Sequence, residues 1–147
     1  MNTFTYPIEL TAQPEGGFLV TFPDLPEAIT QGDSMEDTIE QAIDCLEEAI
    51  ANRIEMKLDI PKASNAKKEQ VTVSLPATLA AKAVLYLTIR KEKLTNTSLA
   101  AKLNCDEKEV RRLLDPHFNS KIPRIEQVLH LLGQRLEVGY SSIQVTS

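Results

Sequence analysis

The sequence predicts an α+β protein of two small domains, one over residues 1–76 and one over residues 77–147. Its beginning holds short segments that alternate apolar and polar residues between prolines and glycines, which indicates antiparallel strands. A helical pattern of apolar residues begins at Ala77 and continues almost to the end. Residues 1–70 hold 14 acidic and 5 basic side chains, a net charge of −9, whereas residues 71–147 hold 7 and 11, a net charge of +4. This asymmetry suggests two parts that bind different partners.

The first domain begins with three predicted strands. Residues 4–10 place every second side chain, all of them bulky and apolar, on one face, as is typical of a half-buried strand. A Gly-Gly pair then predicts a hairpin turn into a second strand at residues 18–22. The two prolines of Pro23–Pro26 carry no N–H for a strand ladder and predict another turn. Residues 28–31 follow as a short third strand.

One main helix is predicted from Ser34 to about Asn52. Ser34 is a favourable N-cap, and Asp37 three residues later resembles the second half of a capping box. Beside the apolar stripe, acidic residues recur at every fourth position: Glu36, Glu40, Asp44 and Glu48. Like charges at this spacing destabilise an isolated helix, so either solvent tolerates them or a cationic partner relieves them. After a polar linker, residues 71–75 alternate again and predict a fourth strand of the same sheet.

The second domain is predicted to be helical, with a C-terminal strand. Four helices are expected, at Ala77–Lys93, Asn96–Leu103, Glu107–Leu114 and Pro123–Gln134. Residues 136–143 alternate and predict the terminal strand. This segment either pairs with its twin across a two-fold axis or is a frayed tail.

The two short middle helices match the spacing of a DNA-binding helix-turn-helix. Ala100 is the small residue needed where the helices cross closely, Asn104 tolerates a positive φ in the turn, and Val110 fills the gap between them. Thr95 and Asp106 are the expected N-caps. The second helix of such a pair lies in the major groove. The alternative is a solvated helix in an ordinary bundle.

The outer side of this helix pair supplies the candidate DNA contacts. Lys108 and Arg111 share a face one turn apart and are the predicted base-reading residues, because arginine commonly binds guanine through two hydrogen bonds. Glu107 lies on the same outward side. Phosphate contacts are predicted for three further cations: Arg112, Lys121 and Arg124. The N-terminus of the preceding helix adds Thr95, Asn96 and Thr97.

Few residues suit catalysis or metal binding. Cys45 and Cys105 stand outside any CxxC pattern, which indicates reduced thiols in a cytoplasmic protein. Neither His117 nor His130 has an evident nucleophile partner, and His117 suits a phosphate contact or a helix end. No glycine-rich phosphate loop occurs, and no apolar run approaches the roughly 20 residues of a membrane helix. We therefore expect no catalytic residue, no metal, no cofactor and no membrane partner.

Two stretches of the sequence resemble a known family. The first is PEGGFLVTFPDLPEAITQGDS, residues 14–34, which the acidic amphipathic helix follows. The second is LTNTSLAAKLNCDEKEVRRLLDPHFNSKI, residues 94–122. In this order, and over nearly the whole chain, the sequence resembles the HicB antitoxins of bacterial toxin–antitoxin modules.

The resemblance implies a fold and two kinds of partner. The first domain is expected to be a partial ribonuclease H-like sheet without its catalytic carboxylates. In the family, this domain binds and masks a HicA-type toxin, a small basic ribonuclease that cleaves messenger RNA. The second domain is expected to bind the operator DNA of the gene pair and so to repress its own operon. Self-association as a dimer or tetramer is also expected, and no enzymatic activity.

Candidate toxin contacts combine the resemblance with charge, since a net charge of −9 suits a cationic toxin. They are Phe22, Asp24 and Leu25 in the turn, with Glu36 and Glu40 on the helix. Phe22 and Leu25 are also candidates for the core, and the two helix acids for a solvated face. A rival function is a ligand-responsive or simple dimeric transcriptional repressor with no toxin partner.

Overall fold

The computed structural model describes residues 3–143. Its strands are β1 (Thr5–Pro7), β2 (Glu9–Ala12), β3 (Phe18–Phe22), β4 (Leu25–Gly32) and β5 (Thr72–Ser74). Its helices are α1 (Met35–Glu55), α2 (Ala77–Glu92), α3 (Asn96–Leu103), α4 (Glu107–Leu114) and α5 (Ile122–Leu131). The described residues divide into two compact units: 3–49, 61–75 and 137–143 form the first, and 50–60 with 76–136 form the second. The units thus interleave along the chain, whereas the sequence suggested a single boundary after residue 76.

The first unit contains two small antiparallel sheets. One has the strand order β2-β3-β4, and in the other β1 pairs with β5, with Tyr6 opposite Val73. The predicted fourth strand is present as β5, but it pairs with β1 and does not join the β2-β3-β4 sheet, as the sequence had suggested it could. Pro7 has no N–H with which to continue a strand ladder. The next residue, Ile8, donates its N–H to the carbonyl of Val71, on the β5 side, over 2.9 Å. The predicted first strand is consequently divided at Ile8 into β1 and β2.

The start of α1 lies very close to the end of β4. A Cβ on Gly32 would lie 2.5 Å from the Cα of Thr38, so only glycine fits there. Ser34 Oγ accepts a hydrogen bond from the N–H of Asp37 over 3.1 Å, which confirms the predicted N-cap. Asp37 Oδ2 accepts from the N–H of Asp33 over 2.8 Å, one residue further back than a standard capping box requires.

The first unit buries the apolar faces that the alternation predicts. Its buried side chains include Tyr6, Ile8, Val20, Phe22, Leu25, Ala28, Ala42 and Leu46. Each large apolar side chain that is fully buried stabilises the fold by roughly 1.5–3 kcal/mol. The one polar group among these side chains is satisfied, because Tyr6 Oη donates to the carbonyl of Pro61 over 2.7 Å.

The second unit is built from helices, with α2 packed against α4 and α5 and α3 packed against α4. One buried cluster comprises Ala81, Leu85, Leu113, Ile125, Val128 and Leu129. A second comprises Leu99, Ala100 and Val110. The predicted bounds of α3 and α4 are confirmed, while α5 ends at Leu131 rather than at Gln134. Of the helices in the described residues, none is both long enough and apolar enough to cross a membrane.

The predicted C-terminal strand at residues 136–143 is wrong for the single chain. Residues 134–143 are neither helical nor in a strand. Val138, Tyr140 and Ile143 expose 95, 102 and 83 % of their surface. A strand is held by hydrogen bonds to a neighbouring strand, and this segment joins neither sheet of residues 3–143. An alternating apolar and polar pattern without a neighbouring strand therefore does not produce a strand at residues 136–143.

Candidate nucleic-acid interface and partner-binding surface

Side-chain hydrogen bonds cap the N-termini of α3 and α4. Thr95 Oγ1 accepts from the N–H of Ser98 over 3.0 Å, and Ser98 Oγ accepts from the N–H of Thr95 over 2.9 Å. Asp106 Oδ1 accepts from the N–H of Glu109 over 2.8 Å at the start of α4. Between the helices Asn104 adopts the left-handed conformation, with φ of 52°, as the turn requires. The Thr95 hydroxyl is thus already engaged in capping.

The outer side of α4 brings three of the predicted DNA contacts together. Thr97 Oγ1 donates to Glu107 Oε1 over 2.6 Å, and Arg111 Nη1 lies 3.8 Å from Glu107 Oε2. Lys108 is exposed nearby on the same helix, while Val110 and Leu113 are buried on its inner side. An exposed ion pair at this distance contributes little to stability, so a polyanion can replace Glu107 as the partner of Arg111.

The three predicted phosphate contacts occupy different surroundings. Arg112 is exposed, with its guanidinium 5.6 Å from the centre of the Phe118 ring. Lys121 is exposed immediately before α5. Arg124 is held within the protein instead: its Nε and Nη2 donate to Glu109 Oε1 over 3.1 and 2.8 Å. Arg124 therefore joins α5 to α4 and is less available to DNA than Arg112 and Lys121.

An open groove of about 630 Å³ beside α4 holds cations that the sequence analysis missed. Asn96 and Arg111 line it together with Lys57, Arg90 and Lys93. Arg90 is partly committed, because its Nη1 donates to the carbonyl of Lys57 over 2.6 Å. The signal in the sequence was the basic run RKEK at residues 90–93, the last residues of the predicted helix Ala77–Lys93. These cations suit phosphate oxygens, and the same groove also carries the carboxylates of Glu55 and Asp115.

Lys82 fixes the chain at the C-terminal end of α4. Its side chain is buried, and its Nζ donates to the carbonyls of Arg112, Asp115 and Phe118 over 3.1, 2.6 and 2.6 Å. Burial lowers the pKa of Lys82, and the charge of Asp115 opposes that shift. An ammonium group has three protons to donate, and here each is accepted by a carbonyl at the end of α4 or just after it. Lys82 thereby orients the helix that carries Lys108 and Arg111.

The acidic stripe of α1, which comprises Glu36, Glu40, Asp44 and Glu48, is exposed along its whole length. Burial raises the pKa of the adjacent Glu47, and repulsion from Asp44 and Glu48 raises it further. The stripe therefore concentrates negative charge on one side of the helix. Glu36 and Glu40, two of the predicted toxin contacts, are accessible to a partner there.

The other three predicted toxin contacts serve the fold. Phe22 and Leu25 expose only 2 and 0 % of their surface, so the structure favours the core alternative for both. Asp24 accepts two hydrogen bonds from Ser64, one from its N–H over 2.9 Å and one from its hydroxyl. The carboxylate thus ties the loop before β5 to the turn between β3 and β4. Phe22 and Leu25 are therefore inaccessible to a partner in this conformation, whereas Asp24 is half-buried and already engaged by Ser64.

The two cysteines are free thiols and partly buried. Burial raises the pKa of both, with Glu27 adding to the effect at Cys45 and Glu109 at Cys105. A raised pKa reduces the thiolate fraction at neutral pH, and the thiolate is the reactive form. Both residues therefore suit a structural role.

Comparisons with known proteins identify the family of this chain. Residues 5–84 match the family described as HicB_like antitoxin of bacterial toxin-antitoxin system. The chain is 34% identical over 136 residues to Antitoxin HicB 1 of Photorhabdus laumondii, an alignment that covers 92% of this chain and 86% of that protein. It is 32% identical over 133 residues to Antitoxin HicB of Escherichia coli K12, covering 90% of this chain and 96% of that protein. These matches confirm the resemblance seen in the sequence and the expectation that the protein is not an enzyme. The chain belongs to the HicB-like family of antitoxins of bacterial toxin–antitoxin systems.

Proposed function

We propose that this antitoxin binds and neutralises a small basic, messenger-RNA-cleaving toxin of the HicA type and represses its own operon by binding operator DNA. The observation that carries the proposal is the division of exposed charge. The first unit presents the acidic stripe of α1, and the second presents the cations of α4. A chain with two such surfaces can bind a cationic protein and a polyanion at separate sites.

The acidic stripe supports the toxin-binding half of the proposal. Its carboxylates are exposed and repel one another, and a cationic partner would relieve that repulsion. Electrostatic complementarity of this kind chiefly raises the association rate and the specificity. Glu36 and Glu40 remain candidate contacts, and the stripe adds Asp44 and Glu48 to them. Phe22 and Leu25 leave the candidate set because they are buried.

The α3–α4 pair supports the DNA-binding half, as a helix-turn-helix. Ala100 is buried, Asn104 has a positive φ, and Val110 is fully buried, as that motif requires. With α4 in the major groove, Lys108 and Arg111 reach base edges. Phosphate contacts come from Arg112 and Lys121 and from the N-terminus of α3 at Asn96 and Thr97, with Glu107 positioning Arg111. The cations of the neighbouring groove extend this surface.

Self-association completes the proposal, because a helix-turn-helix commonly binds two half-sites as a dimer. Residues 136–143 alternate in polarity and expose Val138, Tyr140 and Ile143. Two copies of this segment, paired across a two-fold axis, would supply each other with the strand partner that a single chain does not provide. We place the dimer or tetramer in the cytoplasm, with the partial ribonuclease H-like sheet as its toxin-binding part.

Two experiments test the proposal against a simple or ligand-responsive repressor. A tagged copy of the protein, purified from cells that carry the intact gene pair, is expected to recover a small basic protein. Fluorescence anisotropy with the promoter fragment is expected to give affinity that falls steeply with salt, because each phosphate contact releases a counterion. Recovery of no basic partner would favour the repressor alone. Failure to bind the promoter fragment at low salt would remove the DNA-binding half.

A further inference from the structure

Three side chains of the second unit bring ligand atoms to a common point at the edge of the groove beside α4, which Glu55 and Asp115 also line. They are Glu55 at the last position of α1, Asp115 just after α4, and His117 two residues later. One ligand atom of each lies within 4.8 Å of the other two. His117 Nδ1 is 2.7 Å from Glu55 Oε1 and 4.0 Å from Asp115 Oδ1. All three side chains are exposed, so water has access to the same point.

The backbone that carries two of these ligands is already ordered. The N–H of His117 donates to Asp115 Oδ1 over 2.9 Å. Lys82 Nζ holds the carbonyls of Asp115 and Phe118, on either side of His117, over 2.6 Å each. Because Lys82 is buried in the core of the unit, it fixes this loop from within. The third ligand, Glu55, projects from a regular helix.

We propose that Glu55, Asp115 and His117 form a binding site for a divalent transition-metal ion such as Zn²⁺. Imidazole with carboxylates suits Zn²⁺ and Ni²⁺, whereas Mg²⁺ and Ca²⁺ prefer an all-oxygen set. Metal–ligand bonds of about 2.0–2.2 Å hold neighbouring donor atoms roughly 3 Å apart. The His117–Glu55 pair is already near that separation, and a small side-chain rotation brings Asp115 closer. Water would complete the coordination.

The ion would join the last residue of α1 to the segment that follows α4. It would bind between His117 Nδ1 and Glu55 Oε1, which lie 2.7 Å apart, and any proton held there would pass to solvent. The proposed ion requires neither toxin nor operator as a ligand, because Glu55, Asp115 and His117 all belong to this chain. The sequence predicted no metal site because Glu55 lies far along the chain from the other two ligands and no spacing pattern connects them.

Zinc titration of the metal-stripped full chain tests the site. The chain has two histidines, so NMR signals of the two imidazole rings can be followed separately. We expect ZnCl₂ to shift the signals of His117 and leave those of His130 in place, and the same concentration of MgCl₂ to shift neither. Isothermal titration calorimetry is expected to give an affinity that His117→Ala and Glu55→Gln each lower by at least about tenfold. Asp115→Asn should lower it in the same direction.

The matched control is His130→Ala, which removes the other, exposed histidine and should keep the affinity within about twofold. Far-UV circular dichroism checks that every variant is folded. Zinc should also raise the melting temperature of the wild type but not that of His117→Ala, since only a bound ion stabilises the native state. No zinc binding by the wild type, or an affinity unchanged in His117→Ala or in Glu55→Gln, would overturn the proposal.

Discussion

Asp24 serves the fold, although its position in a proline-bounded turn of an acidic domain suggested a partner contact. Its carboxylate is engaged by Ser64, 40 positions further along the chain. No local sequence pattern predicts a contact between residues so far apart in the chain. Phe22 is buried two residues after Val20, on the same face of β3, as the alternation along that strand predicts. Leu25 follows the turn, where alternation gives no guide, and its burial was decided by the tertiary structure.

Arg111 is the residue whose replacement best tests base reading. Its guanidinium is exposed and held only by a weak pair with Glu107. We expect Arg111→Ala to lose about 1–3 kcal/mol of discrimination between the operator and a point-mutated operator, because one bidentate base contact disappears. Toxin neutralisation should be unchanged. Anisotropy with both DNA fragments measures this, and Lys68→Ala, which removes a cation in the polar loop before β5, is the control. Equal discrimination by wild type and variant would contradict base reading by Arg111.

Replacement of Lys82 gives a separate prediction about stability. Lys82→Met keeps most of the apolar stem but removes the donor for three carbonyls. We expect a loss of about 2–3 kcal/mol in the free energy of unfolding, because three hydrogen bonds from a buried charged group are lost, although each carbonyl keeps a backbone N–H donor. Urea denaturation measures this. Lys91→Met, at an exposed lysine of the same helix, should change stability by less than about 0.5 kcal/mol. A Lys82→Met variant as stable as Lys91→Met would contradict the assigned role.

At the scale of elements, the helices were predicted well because their signals are local. Ser34, Thr95 and Asp106 each cap a helix through the backbone N–H of a residue three positions on, so sequence alone reveals the start. Strands depend on a neighbour that sequence does not name. For this reason residues 71–75 were placed in the wrong sheet, and residues 136–143 form no strand in the single chain. The proximity of Glu55 to Asp115 and His117 was likewise not foreseen, because no local pattern links residues so far apart in the chain.

Glu47, on the acidic side of α1, leads to a prediction about how stability depends on pH. Burial, with repulsion from Asp44 and Glu48, raises the pKa of Glu47 above its ordinary value of 4.5. The folded protein therefore binds a proton at Glu47 at higher pH than the unfolded chain does, so ionised Glu47 destabilises the fold at neutral pH. We expect Glu47→Gln to melt at a higher temperature than the wild type at pH 7. This difference should shrink as the pH falls through the raised pKa of the folded state and should vanish below about 4, where the carboxyl is protonated in both states.

Thermal unfolding followed by circular dichroism across this pH range measures the effect. Glu126→Gln, at an exposed glutamate of α5, is the matched control and should show little difference from the wild type at either end of the range. No stabilisation by Glu47→Gln at pH 7, or a difference that grows as the pH falls, would contradict the raised pKa assigned to Glu47.

At the scale of the whole molecule, the two units carry opposite exposed charge on different elements. The charge asymmetry was visible in the sequence, since residues 1–70 carry −9 and residues 71–147 carry +4. The structure adds which charges are accessible: the stripe of α1 is exposed, whereas Lys82 is buried and Arg124 is paired with Glu109. The net charges of the two parts thus indicate which kind of partner each part suits. Tertiary packing then determines which charged residues are accessible to such a partner.

The central claim is that toxin and operator are bound by separate, oppositely charged surfaces. It is tested most directly by the dissociation constants of both partners for two double variants, Glu36→Lys/Glu40→Lys and Lys108→Ala/Arg111→Ala. We predict that the first weakens toxin binding by at least about tenfold and leaves operator binding within about twofold. The second should do the reverse. If either folded variant lost both activities, or if both variants kept both, the separation of the two surfaces would be contradicted.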